Sequence, residues 1–102
     1  MSAPAVAEVV HTVRGSELYV PGVPGWEGFD QLTRYLVKHF QALVTSTVDG
    51  PDARLRHLTS ESVPLTLEYE DPYGSTILSL DPRGAELLKR IAEDLERRLA
   101  GS

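Results

Sequence analysis

Histidines are the side chains best suited to proton transfer or metal ligation near neutral pH, and the chain has three: His11, His39 and His57. They fall in three separate stretches. None belongs to an HExxH, an HxH or a triad pattern. Each reads as a surface or partly buried imidazole. Cysteine is absent, which removes thiolate nucleophiles, iron–sulfur clusters and Cys-type zinc sites. Carboxylates offer more. Glu68, Glu70 and Asp71 are close together, and two acids at i and i+2 share one face of a strand. Such a pair could serve acid–base work or hold a divalent cation. It equally suits a solvated sheet face ending in a turn, or a contact site for a partner, which needs no pocket. Asp49 and Asp52 flank Gly50-Pro51 without the spacing of an EF-hand loop, and turn chemistry accounts for both.

Three further groups could recognise a ligand. Arg54 and Arg56 share one strand face and could grip a phosphate; the expected alternative is pairing with acids on the outer face of a neighbouring strand. Trp26, the sole tryptophan, reads as a lid on the core edge, with an exposed binding anchor as the alternative. Tyr73 sits at a turn tip beside acids, where it could be a recognition element or part of a solvated turn. Gly22, Gly25 and Gly28 match neither GxGxxG nor a P-loop, and read as loop geometry.

The elements that must position these residues follow from periodicity and punctuation. Residues 1–7 read as a frayed tail before a single domain spanning 8–100. The β-branched run Glu8–Arg14 predicts a strand, and Leu18–Val20 a short return after a Gly15-Ser16 turn. Phe29, Leu32, Leu36, Phe40 and Leu43 recur at spacings of three and four, predicting a helix from Trp26 to Ala42. Strands follow at Leu43–Val48 and Arg54–Leu58. Val63–Glu70 alternates apolar and polar residues, the mark of a strand covered on one face. Asp71-Pro72-Tyr73-Gly74 turns into Ser75–Leu80. A four-residue loop would place Leu67 opposite Leu78 and Leu65 opposite Leu80, and burying the leucines selects that register. Asp81-Pro82 caps a last helix whose stripe is Leu88, Ile91, Leu95 and Leu99. Along it Glu86–Arg90, Glu93–Arg97 and Asp94–Arg98 are spaced for i,i+4 pairs.

Two amphipathic helices and a half-covered sheet have one economical arrangement. It is a two-layer α+β sandwich, a mostly antiparallel sheet with both helices on one face, in the order β(β)α-ββββα. The other face stays open to water.

Composition narrows the function. The chain has 102 residues, with 15 acids against 10 bases and a net charge of −5. That balance argues against a nucleic-acid surface and suits a basic protein partner. No apolar stretch reaches the roughly 18 residues of a membrane span. The absence of cysteine fits a reducing, cytoplasmic setting. No motif calls for a catalytic centre, a metal or a cofactor.

The run Asp52-Ala53-Arg54-Leu55, followed by Leu65–Gly74 and a closing amphipathic helix, resembles short uncharacterised bacterial proteins with a domain of unknown function. The likeness covers residues 26–100. The chain is also similar in size and charge to immunity proteins that neutralise bacterial toxins. The resemblance implies no catalytic residues. The leading expectation is a protein-interaction module, of antitoxin or immunity type. Its partner would bind the outer hairpin face, with Glu68, Glu70 and Asp71 steering by charge and Tyr73 and Ile77 as desolvated anchors. Two alternatives stay open: a small-molecule binder or enzyme with a pocket beside the 21–28 loop, and a homodimer formed through an uncovered sheet edge or face.

Overall fold

The computed structural model describes residues 8–71 and 74–100. The expected tail, 1–7, and the turn residue Tyr73 lie outside them. Eight elements follow in the expected order: β1 (Val10–Thr12), β2 (Gly15–Val20), α1 (Gly25–His39), β3 (Leu43–Asp49), β4 (Ala53–Ser60), β5 (Val63–Glu70), β6 (Gly74–Ser79) and α2 (Gly84–Ala100). The strands form one six-stranded sheet, β1-β2-β6-β5-β4-β3, antiparallel throughout. Alternating direction makes β2 and β3 run the same way with three strands between them, so α1 carries the chain across the sheet.

Period-two alternation decides which side chains meet the helices. Val63, Leu65, Leu67 and Tyr69 of β5 are all buried, as are Leu18 and Val20 of β2 and Leu58 of β4. They join Phe29, Leu32 and Leu36 of α1 and Leu87, Leu88, Ile91 and Leu95 of α2 in a single core. Each such side chain contributes about 1.5–3 kcal/mol by leaving water. The two helices are also tied to each other, because the Tyr35 hydroxyl donates to Asp94 at 2.6 Å.

The β5–β6 register differs from the expected one by a single residue. Glu70 pairs with Gly74, so Leu67 faces Ile77 and Thr66 faces Leu78. Gly74 holds φ +100°, a conformation closed to most side chains, which lets it close the ladder one residue early. A slip of one exchanges the faces of the whole strand. Ile77, expected outside as an anchor, is therefore fully buried against the helices, and Leu78 takes the outer face.

Helix ends also moved. α1 stops at His39, since Gln41 is left-handed at φ 51° and turns the chain so that Ala42 N–H reaches the Leu36 carbonyl at 3.1 Å. Leu43, expected in the helical stripe, thus falls in β3 and is exposed. At its start α1 runs beneath its own entry loop. A Cβ on Gly28 would lie 1.9 Å from the Val23 carbonyl oxygen, so glycine here permits contact between two backbones. α2 begins two residues after Pro82. The Asp81 carboxylate accepts the Arg83 N–H at 2.8 Å, and Gly84 N–H donates to the Asp81 carbonyl.

The helices rest on β2, β6 and β5. The sheet is wider than the layer above it, and β3 projects past that cover.

Candidate interaction surface

The outer face of the hairpin is bridged rather than open. Arg14, in the β1–β2 turn, reaches Glu17 of β2 at 3.1 Å and Glu68 of β5 at 2.6 Å. β6 runs between those strands. Leu78, flanked by Glu17 and Thr66, lies beneath this span and is only 7% exposed. The two carboxylates hold Arg14 protonated far above its usual range. Bonds from the Thr12 hydroxyl and then Arg14 lower the Glu17 pKa. Glu68, expected as a steering charge, is therefore already neutralised by a neighbour. Glu70 and Asp71 are exposed. The Asp71 N–H donates to the Asp52 carbonyl at 3.0 Å, which gathers Asp52, Glu70 and Asp71 at one end of the sheet.

Arg54 and Arg56 lie on the opposite face from the one expected. They register against Tyr69 and Leu67, whose side chains point to the helices. The Arg54 guanidinium stacks 3.6 Å above the Trp26 ring, and Arg56 lies 5.0 Å from the centre of Phe29. Trp26 packs its ring on Tyr69 at 4.6 Å and acts as the expected lid on the core edge. Asp49 completes the group, accepting from Arg56 at 2.7 Å, which lowers its pKa. The buried Arg54 Nε has Asp49 only at 3.9 Å, beyond hydrogen-bond reach. The signal for this placement was in the sequence: Arg54 and Arg56 share parity with the buried Leu58 and Ser60. Arginine can occupy such a site because its planar head covers an aromatic face while its charge stays near water.

The two edges of the sheet contrast. β1 has three residues, ends in the Arg14 bridge, and is a short edge of the kind that resists further pairing. β3 has seven residues, all exposed. Its sequence, Leu43-Val-Thr-Ser-Thr-Val-Asp49, holds no proline and no basic residue. Leu43 is 68% exposed, Val48 52% and Val44 36%. Register places Val44 and Thr47 on the helix side, with Leu58 and Arg56, and Leu43, Ser46 and Val48 on the outer side, with Thr59, His57 and Leu55. A bulge between Val44 and Ser46 shifts that alternation. The leading expectation placed the interaction site on the hairpin, with an uncovered sheet edge or face as an alternative; the β-branched run of β3, without a charge in its middle, is the local signal for this edge.

The histidines stay apart: His11 meets Ser16, His39 meets Arg98 and His57 meets Thr66. Among the described residues no three His, Asp or Glu side chains are grouped to hold a metal, and no helix is long and apolar enough to cross a membrane. A hollow of about 310 Å³ lies between the approach to β1 and α2, lined by Glu8, Val9, Lys89, Ala92 and Glu93. Comparison with family models, curated proteins and solved structures finds no match.

Proposed function

We propose that this chain is a protein-interaction module that binds through the β3 edge of its sheet. The observation that carries this reading is the seven-residue strand exposed along its whole length and bearing apolar side chains on both faces. An edge offers a row of backbone donors and acceptors that an added strand can pair, and side chains to either side supply selectivity. The rest of the domain holds this strand rigidly, since β4 pairs with it on one side and with β5 on the other.

A second surface is favoured by a specific observation. Asp52, Glu70 and Asp71 meet at one end of a chain whose net charge is −5. This acidic end suits a basic protein, as an antitoxin- or immunity-type partner would require, in a cytoplasmic setting. Affinity capture with three baits tests both surfaces: the natural chain, Val48→Lys, and the Glu70→Lys/Asp71→Lys pair. A partner retained by the natural chain and lost by Val48→Lys supports the edge. Loss only with the acidic-end variant moves the site there, and retention by all three removes both.

A further inference from the structure

We propose that the β3 edge takes an extended strand from a basic protein, with an apolar side chain against Val48 and Lys or Arg side chains beside Asp49 and Asp52. The inference rests on the reading of that edge as an interaction site and names the chemistry of its occupant.

The edge is not uniform. Thr45 is the bulged residue, and its hydroxyl donates to the His57 carbonyl at 3.1 Å. A bulge bends a strand and interrupts its ladder. The regular, pairable stretch is therefore Ser46–Asp49, one half of β3. In a strand added there, each residue shares a face with the one it opposes. Val48 lies on the outer face beside Leu55, so the residue opposite it meets an apolar pair. The next position, opposite Asp49, lies on the helix side.

Charge selects what sits there. Asp49 ends β3, and Asp52 stands in the turn to β4 with Glu70 and Asp71 behind it. Among the described residues no ion pair reaches Asp52, Glu70 or Asp71. Arg54 and Arg56 both approach Oδ1 of Asp49, whose side chain is half exposed, and a carboxylate accepts with its second oxygen as well. Four acids thus stand against two guanidiniums at this end.

The other end of β3 is balanced. Glu61 is held by Arg90 at 2.6 Å and Asp81 by Arg83 at 2.9 Å, and Lys38 and His39 close α1 just before the strand begins. An incoming strand is therefore drawn with its positive end toward Asp49. The pairable half and the acidic half of the edge coincide. The same field, on a chain of net charge −5, repels an acidic segment and a second copy.

Amide shifts of the isotope-labelled full chain, titrated to about 1 mM with synthetic peptides, test this, since that range reads weak binding. The probes are a short run of alternating threonine and valine followed by paired lysines, paired glutamates or paired serines. The lysine peptide should shift the amides of residues 46–49 and 52. It should bind at least about tenfold more tightly than the glutamate peptide, a difference that closes as salt rises toward about 1 M. Asp52→Asn keeps the backbone carbonyl that Asp71 uses. It should weaken the lysine peptide about two- to fivefold, as for one exposed ion pair, and leave the serine peptide unchanged.

Three results each overturn the basic strand: 46–49 unmoved by the lysine peptide, equal binding of all three peptides, or shifts at 46–49 that follow protein concentration without peptide, which would put a second copy there. Equal binding at 46–49 leaves the edge reading standing. That reading fails separately, when no peptide moves these amides and capture of other proteins is also indifferent to Val48→Lys.

Discussion

The sheet has a covered half and an uncovered half, and they are built from similar residues. β5 and β6 lie under the helices; Leu65, Leu67 and Ile77 lose essentially all contact with water. β3 carries Leu43, Val44 and Val48, as apolar and as strand-forming, yet each keeps a large share of its surface in water. The difference is position in the sheet. Two helices of 15 and 17 residues rest mainly on three strands, and β3, at the sheet's edge, is exposed along its whole length. Between the halves stand Arg54 and Arg56, stacked on Trp26 and Phe29. They seal the open border of the core with groups that tolerate water on one side. Apolar residues under the cover hold the fold; the same types beyond it are free to hold something else.

That contrast can be broken by mutation, beginning with the largest effect. Leu67→Ala and Ile77→Ala each should cost about 2–5 kcal/mol, the range for emptying a packed core site. Val48→Ala at low protein concentration should cost no more than about 0.5 kcal/mol, as for surface sites. Urea denaturation of the three variants measures both, and a costly Val48→Ala would mean the uncovered half is structural after all.

Gly28→Ala should come next, at about 1–3 kcal/mol for overpacking, because its methyl would meet the Val23 carbonyl rather than a yielding side chain. The same substitution at Gly50, with 3.2 Å to the nearest backbone oxygen, should be far milder in the same assay.

The seal itself is weaker. Arg54→Ala should destabilise by about 0.5–2 kcal/mol through the lost stack on Trp26. Tryptophan fluorescence should shift to the red as the ring gains water. A spectrum that does not move would place the indole's cover elsewhere.

The smallest effect is electrostatic. Arg83 holds the Asp81 pKa down at about 2, while Arg98 and Tyr35 depress Asp94 and Arg56 depresses Asp49. A carboxyl depressed in the folded state stabilises fully above its unfolded pKa, near 4, and that contribution is lost as pH falls through the folded value. Urea midpoints should therefore be level above about pH 5 and decline between about pH 4 and pH 2. Asp49→Asn, at the border of the halves, should flatten part of that decline.

Most of the fold was legible because its signals are local. Val63–Glu70 alternates without interruption, and the stripe from Leu88 to Leu95 repeats at helical spacing, so strand, helix and buried face follow from neighbours in the chain. Asp94 and Arg98 pair at 2.6 Å as their spacing implied, whereas Arg90 pairs with Glu61 in the turn between β4 and β5, also at 2.6 Å. The hairpin register lies one residue from the expected one, because loop length depends on how Gly74 closes the ladder. That choice moved Ile77 from the surface to the core. Of the expected contact residues, Glu70 and Asp71 are exposed, Glu68 is bridged by Arg14, Ile77 is buried and Tyr73 lies outside the described residues.

By itself the sequence determined what each stretch is: its element type, its greasy face, its stops and the acidic balance of the whole. Only the tertiary structure decided which strands lie under the helices, which edge is left bare, and that two arginines face inward onto aromatic rings. The physical reason is range. Periodicity and turn chemistry act over a few residues. Cover, edge and register depend on contacts between segments tens of residues apart, whose geometry no local pattern records.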